Sequence, residues 1–311
     1  RSGRRSDLEA VWRTNVTGYH WRGCIAAHSF AGGMRWVYAL VVLLVVQSLA
    51  HGQDGSTFTP LKVPGIEGAH VRSGVMDHHG ALWIATDRGV HRFDGARTES
   101  YLNDPLDSLS LTDNSVFEVA LGPDGQVWAA TFLGVWCIDP FSGDRRRIPL
   151  VFDGGRTGPY ECLGLEWAGD GTLWAFCNRG GLARKAPGDD TLRVVWRPAG
   201  VSVRGGHVAS DGLIWCTDQR TLVAYEPHAG KAVRYPVSVA GQNAPPKTLL
   251  LDVLHDRYDH DALWCTSWGL GLLRFNLRQQ RFDRQFAMYR PLSDLRNIVQ
   301  DAVQLGPHRW W

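Results

Sequence analysis

Ala81-Leu82-Trp83-Ile84-Ala85-Thr86 is the first of five versions of one phrase. The others are Gln126-Val127-Trp128-Ala129-Ala130-Thr131, Thr172-Leu173-Trp174-Ala175-Phe176-Cys177, Leu213-Ile214-Trp215-Cys216-Thr217 and Ala262-Leu263-Trp264-Cys265-Thr266. Their tryptophans are separated by 45, 46, 41 and 49 residues. A repeat of about 45 residues means units that stack or radiate, and it sets the architecture before any single element is assigned.

Each unit has the same order of parts. A hydrophobic strand, Ser115 to Leu121 in the second unit, runs into a tight polar turn such as Gly122-Pro123-Asp124-Gly125, Gly169-Asp170-Gly171 or Ser210-Asp211-Gly212. Asp-Gly between apolar runs marks a hairpin, because glycine takes the positive φ that such turns require. The Trp strand follows, then a second break and a third strand. That strand ends in Arg92-Phe93-Asp94, Cys137-Ile138-Asp139, Ala224-Tyr225-Glu226 or Arg274-Phe275-Asn276. A weaker fourth strand, as in Ala232-Val233-Arg234-Tyr235, closes several units. Four antiparallel strands in a unit of this length predict an all-β β-propeller, whose radial repetition leaves only short edges open. No stretch carries the 3.6-residue periodicity that a helical solenoid needs. Five blades and the start of a sixth, restated from about Asn297 to Pro307 with Trp310 lying 46 residues after Trp264, predict an incomplete ring.

Asp211-Gly212-Leu213-Ile214-Trp215, and more fully the run from Leu263 through Trp268-Gly269-Leu270-Gly271 to Asn276, resembles the two-component regulator propeller repeat. The resemblance covers roughly residues 66 to 311. It implies the extracytoplasmic sensor half of a bacterial hybrid histidine kinase, whose kinase activity would lie C-terminal to these residues. Two units depart from the pattern. The third (residues 178–185) lacks the aromatic-Asp ending, and in the fourth Arg220-Thr221 stands where others have Gly.

Residues 1–52 follow other rules. Met34-Arg35 gives a short basic start, Trp36 to Val46 an eleven-residue apolar core, and Gln47-Ser48-Leu49-Ala50-His51-Gly52 the small residues of a cleavage site. That layout predicts a secretory signal peptide over 34–52, too short to span a membrane. Residues 1–33 read as upstream sequence outside any domain, and 53–311 as the partial propeller. Export places the propeller in the periplasm or on the extracellular face. The 33 basic and 31 acidic residues of the chain become 27 against 29 once residues 1–52 are set aside. The slight basic excess therefore belongs to the leader and gives no reason to expect a nucleic-acid partner.

Five cysteines remain beyond Cys24. Cys216 and Cys265 directly follow the blade tryptophan, where other units have Ile84, Ala129 and Ala175, so packing explains them. Cys162 and Cys177 sit symmetrically about the Ala168-Gly169-Asp170-Gly171 turn. A regular hairpin places them opposite one another, within reach of a somewhat strained disulfide if the compartment is oxidising.

No nucleophile elbow, His-Glu-x-x-His pair or phosphate loop occurs, so no catalytic residue, metal site or cofactor is expected from motifs. The run from His255 to Asp261 and the pair His78-His79 fall in first turns of blades and read as solvated loops. Asp94, Asp139 and Glu226 read as a repeated structural turn. Trp83, Trp128, Trp174, Trp215 and Trp264, one per unit at a fixed place, read as core. Binding residues are expected where the repeats disagree, on loops held by the rigid frame. The second-to-third turns carry Asp87-Arg88, Phe132-Leu133, Asn178-Arg179, Asp218-Gln219-Arg220 and Ser267-Trp268. Arg88, Arg179, Arg220 and Trp268, with Asp87 and Asn178, suit sugar rings, carboxylates and sulfates. The expected partner is thus an extracellular ligand, an oligosaccharide among the options, with homodimerisation through regions beyond residue 311. The alternatives are a secreted propeller lyase, which would need a His and acidic cluster on one face, and a protein-binding scaffold.

Overall fold

The computed structural model describes residues 61–197, 199, 202–239, 242–243, 247–287, 289, 296–302, 304–307 and 309–310. The expected leader and signal peptide lie outside the described residues. The chain divides after Lys62, and everything below concerns the second unit, Val63–Trp311. Blade 1 is β1 (Val71–Met76), β2 (Leu82–Thr86), β3 (Gly89–Phe93) and β4 (Thr98–Tyr101). Blade 2 is β5 (Val116–Leu121), β6 (Val127–Thr131), β7 (Gly134–Ile138) and β8 (Arg145–Ile148), followed by the short β9 (Leu150–Val151). Blade 3 is β10 (Glu161–Trp167), β11 (Leu173–Asn178), β12 (Gly181–Lys185) and β13 (Leu192–Trp196). Blade 4 is β14 (Val203–Val208), β15 (Ile214–Asp218), β16 (Thr221–Glu226) and β17 (Lys231–Pro236), with a small hairpin of β18 (Ser238–Val239) and β19 (Gln242–Asn243) after it. Blade 5 is β20 (Leu249–His255), β21 (Ala262–Trp268), β22 (Leu272–Asn276) and β23 (Arg281–Phe286). The pair β24 (Gln304–Gly306) and β25 (Arg309–Trp310) begins the sixth and puts Trp310 on its second strand.

Each blade is an antiparallel meander in sequence order. The five tryptophans occupy the same strand and register. Each stands opposite Arg92, Cys137, Arg184, Ala224 or Arg274 on the third strand. All are buried, from 0% exposed at Trp83 to 6% at Trp215. Their neighbours explain the rest of the phrase. Trp83 packs with Val116, Val119, Val127 and Ala129 of blade 2, and Trp128 with Leu165, Leu173 and Ala175 of blade 3. Trp174 meets Ile214 and Cys216 of blade 4, and Trp215 meets Leu263 and Cys265 of blade 5. Side chains alternate along a strand, so Trp faces the following blade and the residue after it faces the preceding one. That second residue is small in blades 2 to 5 because it lies against the neighbour's indole. Burying an aromatic of this size stabilises by roughly 1.5–3 kcal/mol relative to exposing it. The two middle strands of each blade are buried on both faces, while the outer strand is polar: Glu99 and Ser100 of β4 are exposed.

The Asp-Gly turns form as their chemistry dictates, with Gly125, Gly171 and Gly212 at φ between 81° and 84°, and Gly80 after His79 takes the same conformation at 83°. Asp94 Oδ1 accepts the Ala96 and Arg97 N–H groups, and Asp139 Oδ1 accepts those of Phe141 and Ser142, so the repeated acid after the third strand is a turn brace.

Three features depart from expectation. The third sheet has five strands, because β9 runs parallel along the outer edge of β13 and buries Leu150 against Leu192. That cover protects an edge that would otherwise be open. Cys162 and Cys177 are register partners, yet both thiols are free and buried. A bulge between Cys162 and Gly164 breaks the regular hairpin, and the Cys162 S–H is directed to the Gly164 carbonyl at 3.4 Å. The segment from His255 to Asp261 is not a freely solvated loop either. Asp256 is buried and accepts N–H groups from Trp264, Gln304, Tyr258 and Asp259, while Asp259 pairs with the largely buried Arg274.

Candidate functional site

The turn between second and third strands opens on the end of the propeller that carries the blade-to-blade connections. Backbone hydrogen bonds fix this arrangement. Phe132 N–H donates to the Ser115 carbonyl at 3.0 Å, Leu250 N–H to Gln219 at 2.6 Å and Gly269 N–H to Asn297 at 2.9 Å. Arg88, Arg179, Arg220 and Trp268 are exposed on these turns, Trp268 by 44%. They come from blades 1, 3, 4 and 5. Asp87 and Asn178 are instead engaged within the protein. Asp87 Oδ1 accepts the His70 N–H at 2.8 Å, which holds its carboxyl below the usual range, and Asn178 donates to the Glu161 carboxylate. They position the turns.

Backbone conformation singles out the same place. Three described non-glycine residues have positive φ, and two are in these turns: Arg179 at 57° and Gln219 at 49°. An L-residue pays about 1–2 kcal/mol in that region. Strain of this kind collects at binding sites, where a surrounding frame can hold it. Sequence reading also missed the company of Trp268. Ile298 pairs with it in an isolated bridge, and Tyr289, whose N–H donates to Asn297, carries the Arg296 guanidinium 4.5 Å above its ring. Trp268, Tyr289 and Ile298 are each exposed by 39–44%.

A second group lies along the inner strands. The first strand of each of the five blades has an irregularity near its N-terminal end, at Val71/Ser73, Val116/Glu118, Cys162/Gly164, Val203/Gly206 and Leu250/Asp252. A bulge of this sort re-aims side chains. Glu118 of β5 and Asp252 of β20 sit immediately after theirs. The Glu118 carboxylate reaches blade 3, where Oε2 accepts the Leu165 N–H at 2.8 Å. Asp252 lies against Gly205 of blade 4, where any added Cβ would collide with the carboxylate. Nearby, Glu166 of β10 pairs with His207 Nδ1 of β14 at 2.9 Å. The His207 ring lies 5.2 Å from that of His255, which in turn lies 5.8 Å from His260. Enclosure, then His207 and His260, hold the His255 imidazole below its ordinary value. A carboxylate–imidazole pair of this geometry can pass a proton. Among the described residues, no three His, Cys, Asp or Glu side chains are grouped so as to hold a metal ion. The group had one signal in the sequence: polar residues in first strands that are otherwise apolar.

No family model and no curated protein sequence matches the chain. Solved structures do match in shape. The chain is similar to a catalytically inactive variant of virginiamycin B lyase from Staphylococcus aureus, solved with quinupristin, at 16% identity and a TM-score of 0.59, covering 77% of each chain. It is similar to YCF48 bound to D1 peptide at 14% identity and 0.53, covering 74% of this chain and 71% of that one. A third match is the extracellular domain assigned to a hybrid two-component system from B. thetaiotaomicron, at 17% identity and 0.43. Here the alignment takes in 76% of this chain but 37% of the other. At these identities the likeness to the lyase and to YCF48, both with TM-scores above 0.5, establishes the propeller fold and nothing more. Among the described residues, no helix is long and apolar enough to cross a membrane.

Proposed function

We propose that the chain is the ligand-sensing propeller of an extracytoplasmic two-component signalling protein. It takes an anionic or polyhydroxylated ligand, of oligosaccharide type, on the end face formed by the second-to-third turns. One observation carries this reading: four blades present an exposed Arg or Trp at the same turn, above a frame that is buried and repetitive. Guanidinium groups pair with carboxylates and sulfates in bidentate fashion, and the exposed Trp268 indole offers a stacking surface. The repeat resemblance supports the sensor role, and would place a kinase and any dimerising region beyond residue 311. The test is a glycan array that includes uronate-bearing, sulfated and neutral oligosaccharides. Acidic members should be retained in preference to neutral ones of the same length, and equal retention of both would count against the arginines.

A second reading, a secreted lyase, is favoured by the Glu166–His207 pair beside Glu118 and Asp252. It is tested by incubating the protein with quinupristin and with uronate polysaccharides. Product that disappears in His207→Ala would support it, and the absence of product from either substrate would remove it.

A further inference from the structure

The inner strands bring together carboxylates that are far apart in sequence. Glu118 (β5), Glu166 (β10), Asp252 (β20) and Asp301, just before β24, lie close enough for their charges to interact. The charges acting on Glu118 are those of Glu166 and Asp301, both negative, and those raising Asp252 are Glu118, Asp301 and Glu166. Of the basic residues nearby, Arg72, His207 and His255 are engaged with other groups. Arg72 of β1 donates to Ser115 Oγ and the Val116 carbonyl at 2.9 and 3.2 Å. His207 of β14 is paired with Glu166, and His255 of β20 stacks on His207. Arg204 of β14 is half-buried, and its carbonyl oxygen packs against Gly164. The strands also fit tightly around the acids. A Cβ at Gly164 would come within 3.3 Å of Glu118 Oε2, and one at Gly205 would strike Asp252.

We propose that the central channel is a proton-operated brace: with Glu118 and Asp252 protonated the inner strands of blades 2 to 5 close around them, and with both ionised the strands are driven apart. The propeller then responds to external pH independently of any ligand on the end face.

Like charges that interact across a partly enclosed space repel, and such sites keep a proton instead. Enclosure pushes the Glu118 carboxyl up to about 8, against the Leu165 hydrogen bond that favours the ion. Asp252 is raised well above its ordinary 3.8 by enclosure and then by the other carboxylates. Asp301 is raised too, but it is exposed to solvent, so Glu118 and Asp252 carry most of the effect. The unfolded chain releases these protons near 4.5 and 3.8, whereas the folded chain holds that of Glu118 to about 8. Stability is therefore complete at low pH and is lost as pH rises toward 8.

The experiment is urea denaturation of the full chain at pH 6.5 and pH 8, for wild type, Glu118→Gln and the double variant Glu118→Gln/Asp252→Asn. This window lies below the titration of unfolded thiols, and His91 and His255, both held below the ordinary 6.5, add stability as pH rises through it, so they cannot produce a fall. The wild-type midpoint should fall between the two pH values, less so in Glu118→Gln, and hardly at all in the double variant. Gln keeps an acceptor for Leu165, so the single variant should fold. Amide exchange at Leu165, corrected for intrinsic rate, should quicken at pH 8 in wild type only. A wild-type midpoint that is flat or rises, or a fall undiminished in the double variant, overturns the proposal. Should the double variant not fold, carbon-13 NMR of the wild-type carboxyl groups decides. A Glu carboxyl titrating above pH 7 supports the brace, and ionisation of every carboxyl below pH 6 overturns it.

Discussion

Trp83 donates its indole N–H to Oδ2 of Asp77 at 2.9 Å, across the first hairpin of its blade. Trp264 does the same to Asp256, also at 2.9 Å. In both blades an arginine stands on the third strand opposite the indole, Arg92 in one and Arg274 in the other. Blade 2 has Gly122 in place of the acid and Cys137 in place of the arginine, and there the buried Trp128 N–H has no acceptor. Blade 3 keeps an arginine, Arg184, opposite its indole but has Ala168 at the acid's place, so the acid rather than the arginine is what serves the indole. The acid satisfies the indole and two backbone N–H groups, those of His79 and Ala81 in blade 1.

Asp77→Ala should therefore destabilise the propeller by about 2–4 kcal/mol, since each buried donor left unpaired costs about 1–3 kcal/mol. Asp77→Asn keeps an acceptor and should cost clearly less. Chemical denaturation of the two variants measures the difference, and equal costs would show that the hydrogen bonds are not what holds the turn.

Trp174 is 4% exposed between blades 3 and 4. Trp174→Ala should cost about 3–5 kcal/mol through lost burial and the cavity left behind. A loss under about 1 kcal/mol would remove the tryptophan from the core.

His91 is buried on β3 between Thr86 Oγ1 at 3.1 Å and Ser100 Oγ at 2.8 Å, and enclosure lowers its pKa from the ordinary 6.5. Its neutral form is favoured in the fold. It costs nothing above pH 6.5, and below that value the unfolded chain takes up the proton first, so stability falls as pH falls. The channel carboxylates act in the opposite sense. The comparison of wild type with His91→Gln between pH 7.5 and pH 5 isolates the histidine: the wild type should lose more stability on acidification than the variant.

The five described cysteines are buried and free. Protein spanning residues 53–311, purified without reductant and then unfolded, should yield all five of these thiols to a thiol reagent. Three would mean that Cys162 and Cys177 had joined.

Much of this was legible in the sequence because the blade is a local object. The Trp phrase, the Asp-Gly turn and the acid after the third strand all act within one unit, so their spacing reports their structure. The inner-strand acids showed only as polar residues in otherwise apolar first strands, and their grouping was not legible. Glu118, Glu166 and Asp252 are separated by 48 and 86 residues and meet only because inner strands converge. The bulges that aim them leave no mark in the hydrophobic pattern. The segment from His255 to Asp261 misled for a related reason. Asp256 looks like any turn acid until its partners Trp264 and Gln304 are brought to it. The end face stood between these cases, since its turns could be numbered from the repeat. The ties of Asp87 to His70 and of Asn178 to Glu161 could not.

The central claim is that exposed turn residues on one end bind a ligand, and calorimetry tests it most directly. The tightest acidic oligosaccharide from the array is titrated into wild type, Arg88→Ala, Arg179→Ala and Trp268→Ala. A charge-assisted contact contributes about 1.5–3 kcal/mol, so each Arg variant should bind roughly ten-fold to over a hundred-fold more weakly. Trp268→Ala should weaken binding as well, and unfolding midpoints should barely move because none of the three supports the core. Unchanged affinity in all three variants would contradict the account.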